Sequence, residues 1–133
     1  MDFMESTAFA WSAGINQLNF EQKGEEKRVI SIKNGSWFAL SSVDFSNNIT
    51  KFTASVLSEC ENLVIELREN TTDGILIDSM KVPVTKNHEW TQITMKVENM
   101  TGIHDLYVMI KGNNSHEELL LENYSIHSIT MKN

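Results

Sequence analysis

The chain has 133 residues, of which 41% are hydrophobic and 22% charged, with one proline and six glycines. This composition is that of an ordinary globular protein, and the length predicts a single domain over residues 1–133, because two full-sized domains would not fit. The formal charge of -7 has the wrong sign for neutralising phosphates, so nucleic acid and anionic membranes are excluded as expected partners.

Short strand-like runs separated by turn residues follow one another along the chain. Residues 3–13 are interpreted as an extended entry strand, because Gly14 would end a helix there after little more than two turns. Hydrophobic and polar side chains alternate over residues 51–57, which indicates a strand with one face in water. The predicted strands after the entry strand are residues 28–32, 37–45, 51–57, 63–68, 75–82, 90–97, 103–110 and 118–131. Their number and regular spacing predict an all-β sandwich or jelly roll.

The sequence contains no residue pattern typical of a catalytic site. A phosphate-binding glycine loop, a G-x-S-x-G nucleophile motif and an H-E-x-x-H pair are all absent. The adjacent carboxylates Glu117 and Glu118 are interpreted as solvated loop charges. His104 shares its strand phase with Leu106 and is expected to point inward and form hydrogen bonds in the core, with a metal-binding pair with Asp105 as the alternative. We therefore predict no catalytic residues and no enzyme activity.

Trp90 is the residue whose position points most directly to ligand binding. In the strand predicted over residues 90–97, the apolar face begins at Ile93, whereas Trp90 has the phase of the polar side chains. An exposed aromatic ring at the end of a strand is a suitable platform for a sugar ring. A loop that covers Trp90 and attaches it to the core is the alternative, and the sequence leaves both open. Trp37 has the opposite phase to Phe38 and is a second, weaker candidate for carbohydrate binding on a sheet face.

Several motifs, spread over almost the whole chain, occur in the order that one known family shows. Residues 5–15 read E-S-T-A-F-A-W-S-A-G-I, and N-G-S-W at residues 34–37 is followed by V-D-F at residues 43–45. Residues 102–107 read G-I-H-D-L-Y. Together these segments resemble family 6 carbohydrate-binding modules, in particular those attached to family 43 glycoside hydrolases that act on xylan and arabinoxylan.

The resemblance implies a jelly-roll β-sandwich of two antiparallel sheets that has no catalytic activity. It implies a secreted, monomeric module, with its signal sequence outside these residues, that binds polysaccharide or oligosaccharide. It also implies a covalently linked catalytic domain, which the module attaches to plant cell-wall polysaccharide of the xylan or arabinoxylan type. The alternative is a structural or spacer domain of a larger enzyme that has lost sugar binding.

The departures from the family pattern lie in its sugar cleft. In that cleft, the resemblance implies two stacking aromatic residues, an acidic residue and an asparagine near the C-terminus. Trp90 matches one aromatic residue, whereas the other three positions correspond to Ser31, Leu18 and Leu120. Either the cleft has been rebuilt for another glycan, or binding has moved to the sheet face around Trp37, or the module is a spacer.

A structural calcium ion is also implied by the resemblance. The positions that correspond to its ligands are Glu5, Thr7 and Glu122, together with loop carbonyls of residues 21–26. Calcium prefers about six to eight oxygen ligands, and a threonine in place of a carboxylate removes one negative charge from the site. We therefore expect a weakened calcium site that links the N-terminal strand to the last strand.

Overall fold

The structure is a computed structural model that describes residues 3–5, 11–22, 24–45, 49–85, 89–97, 101–114 and 117–128. In these residues the chain forms nine strands and no α-helix, which confirms the all-β prediction. The strands are β1 Phe3–Glu5, β2 Trp11–Gln22, β3 Glu25–Asp44, β4 Ile49–Leu57, β5 Val64–Glu69, β6 Leu76–Lys81, β7 Thr91–Lys96, β8 Ile103–Lys111 and β9 Glu118–Ser128. The same residues include no helix with the length and apolar character needed to cross a membrane.

β3 takes part in both sheets of the sandwich, and every strand pair is antiparallel. Its second half pairs with β8, and β5 and β6 follow in the order β3-β8-β5-β6, which we call the β8 sheet. Its first half pairs with β9, and β4 and β7 follow in the order β3-β9-β4-β7, which we call the β9 sheet. β2 pairs along β3, and β1 pairs with β9. This antiparallel β-sandwich confirms the predicted fold class.

A corner at residues 33–36 of β3 separates the two sheets. The β2–β3 register shifts there, next to Gly14, which has a positive φ of 74°. A side chain at Gly14 would collide with Ser36, because an ideal Cβ would lie 2.1 Å from Ser36 Oγ. Asn34 binds the corner to the loop after β8: its Oδ1 accepts from Gly112 N at 2.8 Å, and its Nδ2 donates to Asn114 O at 3.3 Å. The corner therefore depends on a glycine and on side-chain hydrogen bonds.

The hydrophobic core lies between the two sheets and contains the inward residue of each alternating pair. The predicted inward positions of residues 51–57 are confirmed, since Phe52, Ala54 and Val56 are buried. The prediction that the other face lies in water is wrong for Thr53, which is 5% exposed because β4 lies between β9 and β7 inside the sheet. The largest fully buried side chains are Tyr124, Phe38, Phe45, Phe52, Ile30, Ile32, Leu63, Ile65, Leu67, Met95, Leu106 and Ile110. Because successive side chains of a strand point to opposite faces, the residues between these core positions define the outer face of each sheet.

The edge strands β6 and β7 lie next to each other at the far side of the sandwich. Asp78 on β6 accepts a hydrogen bond through Oδ2 from the backbone N of Lys96 on β7, at 2.9 Å. A side chain thus bridges the two sheets where no ladder of backbone hydrogen bonds joins them in the described residues.

Candidate functional site

The outer face of the β9 sheet brings together the positions that the resemblance assigns to a sugar cleft. Ser31 on β3 lies opposite Leu120 on β9, and Leu120 lies opposite Leu57 on β4. The pairing of β4 with β7 continues to the residue after Trp90, so Trp90 comes next to Leu57 in the same row. Leu18 on β2 lies near Ser31, opposite the residue two positions before it. Residues that are far apart in the sequence therefore lie together on the outer face of the β9 sheet.

This part of the outer face is recessed. By strand alternation Val29, Ser31 and Leu57 point away from the core, yet their exposed fractions are only 0%, 2% and 5%. Leu18 is 41% exposed and Leu120 is half-buried. Val29, Ser31 and Leu57 are therefore covered and cannot contact a ligand. The exposed parts of their neighbours, such as Leu18 and Leu120, remain available for contact.

Trp90 is half-buried and directly precedes β7. On β7, Ile93 and Met95 are buried whereas Gln92 and Thr94 are exposed, which confirms the predicted phase of the strand. The tryptophan takes part in at least one polar or ring interaction with the rest of the protein. This partial burial matches neither the fully exposed platform nor the ring covered by a loop that the sequence left open. The role of Trp90 in sugar binding stays a prediction.

Thr85, after β6, is joined through Ser58 to the start of β9. Thr85 N donates to Ser58 O at 2.8 Å, and Ser58 N donates to Thr85 Oγ1 at 3.3 Å. Ser58 Oγ in turn donates to Glu118 O at 3.0 Å. Because Ser58 and Thr85 are both buried, this network fixes Thr85 and the end of β4 relative to the first residue of β9.

Glu118 and Glu117 have different roles that sequence reasoning missed. The interpretation of both as solvated loop charges is wrong for Glu117, which is buried and accepts through Oε1 from the backbone N of Asn113 and of Asn114, both at 2.6 Å. Glu118 is exposed, but it begins β9 and its Oε2 accepts a hydrogen bond from Ser31 Oγ at 2.5 Å. This second contact joins residues 87 positions apart, so no local sequence signal predicts it.

Trp37 belongs to an aromatic group on the outer face of the β8 sheet. Its ring centroid lies 5.1 Å from that of Tyr107. Trp11, which is 46% exposed, pairs with Ala39, and Ala39 pairs with Tyr107. Ala39 has no exposed surface although it points away from the core, so its larger neighbours cover it. We call Trp11, Trp37 and Tyr107 the aromatic face.

Charged side chains border the aromatic face. Arg68 pairs with Tyr107 across β5 and β8, and its Nε donates to Glu66 Oε1 at 3.1 Å. Lys111 Nζ lies 3.2 Å from the same oxygen. Burial raises the pKa of Glu66, but the hydrogen bonds and charges of Lys111 and Arg68 outweigh it, so the pKa lies below the ordinary 4.5. Ionised polar groups thus lie beside stacking surfaces, a combination suited to a ligand with hydroxyl groups.

His104 has the predicted strand phase but lies at the rim. Its side chain is 26% exposed, its Nε2 donates to Thr101 O at 2.6 Å, and its Nδ1 lies 3.0 Å from Glu69 Oε1. The expectation of hydrogen bonding is confirmed, whereas the expectation of a core position is wrong because His104 lies near the start of β8, where the sandwich ends. Within the described part of the chain, no group of three or more potential metal ligands occurs around it or elsewhere.

The calcium expectation concerns Glu5, Thr7 and Glu122. Glu5 on β1 lies opposite Asn123, so it is close along the sheet to Glu122 on β9. Glu122 Oε2 accepts a hydrogen bond from Ser55 Oγ at 3.2 Å. Thr7 and the side chain of Glu5 lie outside the described residues. Two carboxylate residues on neighbouring strands suit the preference of calcium for oxygen ligands, and the site stays a prediction.

Comparison with known proteins identifies relatives over nearly the whole chain. The sequence profile of the family described as carbohydrate binding module (family 6) matches residues 5–128. An arabinoxylan arabinofuranohydrolase of Paenibacillus polymyxa is 31% identical over 124 residues, which are 90% of this chain and 19% of that protein. An endo-1,4-beta-xylanase A of Thermoclostridium stercorarium is 28% identical over 102 residues, which are 76% of this chain and 16% of that protein. The chain therefore spans about a fifth or less of the length of these relatives.

Solved structures show the same architecture. A glycoside hydrolase family 43 arabinoxylan arabinofuranohydrolase from Bacillus subtilis, in complex with cellotetraose, superposes with a TM-score of 0.83 at 25% identity, over 96% of this chain and 27% of that one. A family 6 module from Clostridium cellulolyticum, in complex with xylose, gives 0.79 at 26% identity, over 96% of this chain and 97% of that one. The chain thus belongs to the family 6 carbohydrate-binding modules, which are non-catalytic.

Proposed function

We propose that this module binds plant cell-wall polysaccharide of the xylan or arabinoxylan type and attaches a covalently linked glycoside hydrolase to it. The relatives named above are arabinoxylan- and xylan-degrading enzymes of which the chain spans a small part, and this supports a role as one domain of a longer enzyme. Because such substrates lie outside the cell, we propose that the protein is secreted, and that the module acts as a monomer.

The observation that carries this proposal is the row on the outer face of the β9 sheet. Trp90 stands at one end of the row and is half-buried, with Leu57 next to it and Leu120 on the far side of Leu57. A sugar ring stacks its C–H groups on the indole, and the surrounding polar side chains bond its hydroxyls. Partial burial of a stacking ring favours binding, because less side-chain freedom is lost when the ligand arrives.

The aromatic face is the second proposed binding surface. Trp37 and Tyr107 already contact each other, and the exposed Trp11 lies in the neighbouring strand. Flat aromatic groups on adjacent strands, bordered by Arg68 and Glu66, suit an extended oligosaccharide that lies across the strands. This surface supports binding without the cleft residues that Leu18 and Leu120 replace.

A weak calcium site is proposed at the junction of β1 and β9. Glu5 and Glu122, on strands that pair with each other, would hold the ion together with Thr7 and loop carbonyls. The ion would contribute structural stability only, by joining the N-terminal strand to β9.

Affinity electrophoresis through gels that contain xylan, arabinoxylan or no polysaccharide tests the proposed function. We expect retardation by at least one of the two polysaccharides, and loss of most of it in Trp90→Ala. Trp37→Ala reports separately on the aromatic face, and Trp11→Ala reports on its exposed edge. If neither polysaccharide retards the folded wild-type protein, the proposed substrate class is wrong, and a spacer role explains the departures at Leu18, Ser31 and Leu120.

A further inference from the structure

The cleft positions of the β9 sheet face have lost polar groups, since Leu18 and Leu120 have no hydrogen-bonding side-chain atoms. A sugar stacked on Trp90 needs partners for its hydroxyls, because an unpaired hydroxyl at a binding site loses the hydrogen bonds it had with water. Another side chain of this protein must therefore accept the hydrogen bonds of the sugar hydroxyls.

Glu118 is the exposed carboxylate nearest to this row along β9. It lies two residues before Leu120, on the same outer face, and its Oε2 accepts from the buried Ser31 Oγ. Lys33 lies opposite Glu118 across β3 and β9, and the described residues include no ion pair between these two side chains. One oxygen is thus held by Ser31, and the other faces solvent and can accept from a ligand.

The spacing between Glu118 and Trp90 leaves room for a sugar unit between their side chains. Two strand spacings of about 4.8 Å separate β9 from β7, and Glu118 lies two residues, about 6.7 Å, along β9 from the row of Trp90, so the two backbones are roughly 12 Å apart. Both residues lie at the beginning of their strands, at the same end of the sheet. A hydroxyl group of a ring stacked on the indole can therefore lie within reach of the Glu118 carboxylate.

We propose that Glu118, oriented by Ser31, determines the specificity of the Trp90 cleft by accepting hydrogen bonds from the hydroxyls of a neutral sugar and by repelling sugars that bear a carboxylate. This inference rests on the proposed function and names the substrate class of the same site. An ionised carboxylate is an acceptor only and forms strong charge-assisted bonds with hydroxyl donors, whereas a uronate ligand brings a like charge close to it.

Glu118 contacts the ligand in this proposal, and Ser31 is a positioning residue. Ser31 is almost fully buried, so its hydroxyl reaches only Glu118 and not the sugar. Removal of the hydroxyl frees the carboxylate to turn toward water without opening a cavity of any size. The effect of Ser31 on binding should therefore be smaller than that of Glu118, and a threonine, which keeps the hydroxyl, should restore it.

Isothermal titration with a neutral xylo-oligosaccharide, and with the same oligosaccharide carrying one glucuronic acid, tests the proposal at neutral pH. Wild type should bind the neutral ligand at least about fivefold more tightly, the ratio expected for two like charges about 4 Å apart in water. Glu118→Gln should weaken binding of the neutral ligand about tenfold and abolish the preference between the two. Ser31→Ala should weaken it about threefold, and Ser31→Thr should bind as wild type does.

The controls separate this inference from the proposed function. Glu61→Gln removes an exposed carboxylate in the turn before β5 and should change neither affinity nor preference. If wild type binds and Trp90→Ala does not, but Glu118→Gln binds as wild type, the role of Glu118 is overturned while the module function stands. Binding that depends on Trp37 alone likewise overturns it. If wild type binds no glycan, the proposed function and this inference both fail.

Discussion

The outer faces of the two sheets present aromatic rings in different ways. On the β9 sheet, Trp90 directly precedes the edge strand β7, and the described positions in its row are aliphatic or hydroxyl-bearing and largely covered. On the β8 sheet, Trp11, Trp37 and Tyr107 lie on three adjacent strands, with charged side chains at their border. A half-buried ring beside a covered row suits one sugar unit, whereas exposed rings on adjacent strands suit a chain on an open surface.

The two proposed binding surfaces therefore differ in the kind of contact that each offers to a polysaccharide. Because the faces lie on opposite sides of the core, a substitution on one face leaves the other unchanged unless it disturbs the fold itself. This independence can be tested by substitutions that act on the fold, on one ring at a time, on the β1–β9 junction and on one charged group.

The largest expected effect is that of Gly14→Ala at the corner shared by both sheets. The alanine must adopt a φ of 74°, and its Cβ would overlap Ser36 Oγ. We expect a loss of about 2–4 kcal/mol in the free energy of unfolding, measured by urea denaturation, and loss of binding at both faces as the protein unfolds. Gly24→Ala is the matched control: φ is 79° but the space around it is open, so about 1 kcal/mol is expected. Equal losses in both variants would contradict the importance of the close approach to Ser36.

The next effect distinguishes the two faces by the stability of their rings. Trp37→Ala removes the contact with Tyr107 and uncovers Ala39, so we expect a loss of about 1–2 kcal/mol in unfolding free energy. Trp90→Ala truncates a ring that is also half-buried, so we expect a loss of about 1 kcal/mol together with loss of binding at the cleft. Thermal unfolding and affinity electrophoresis of the two variants give the comparison. A loss of several kcal/mol in Trp90→Ala would make Trp90 part of the core and not a binding platform.

Calcium should act on the β1–β9 junction and on neither binding face. An ion that binds only the folded protein adds about 0.4 kcal/mol when its concentration equals the Kd, which corresponds to roughly one to three degrees in melting temperature. We expect this increase between a chelator and millimolar calcium, and its absence in Glu122→Gln. An unchanged melting temperature in the wild-type protein would show that the exchange of a carboxylate for Thr7 has removed the site.

The smallest effect concerns the charges beside the aromatic face. Because the folded-state pKa of Glu66 is lowered, its ionised form stabilises the folded protein at a pH above the unfolded value near 4.5, and this contribution is lost as the pH falls through the folded-state pKa. The difference in urea midpoint between wild type and Glu66→Gln should therefore shrink from pH 6 to pH 3. Lys111→Gln, which removes one of the two cations, should reduce the difference at pH 6. A difference independent of pH would assign the effect to packing instead.

The regular alternation of hydrophobic residues made most of the fold predictable from the sequence. Strands such as β5 and β7 follow that pattern closely, because each has one side on the core. β2 was predicted only near its beginning, since Asn16, Gln17 and Asn19 lie on an edge strand that is exposed over most of its length and has no apolar alternation. An edge strand that is held mainly by backbone hydrogen bonds needs no regular pattern of hydrophobic side chains, so the sequence does not indicate it clearly.

Some features of the candidate sites could be predicted from the sequence, whereas others could not. Trp90 could be singled out from its strand phase, because phase is a local property. The bond from Ser31 to Glu118 and the contact of Trp37 with Tyr107 depend on which strands become neighbours, across separations of 87 and 70 residues. Such pairs arise from topology, so a sequence considered segment by segment does not contain them.

Because β3, a strand of 20 residues, belongs to both sheets, it affects how the module unfolds. Residues 30–33 of β3 are hydrogen-bonded to β9, and residues 37–44 are hydrogen-bonded to β8. Separation of either sheet therefore disrupts a strand that the other sheet requires, which favours a single cooperative transition over stepwise loss of the sheets. In native-state hydrogen exchange, the amides on both sides of the corner should consequently open with the same free energy, and the two binding faces should persist or disappear together.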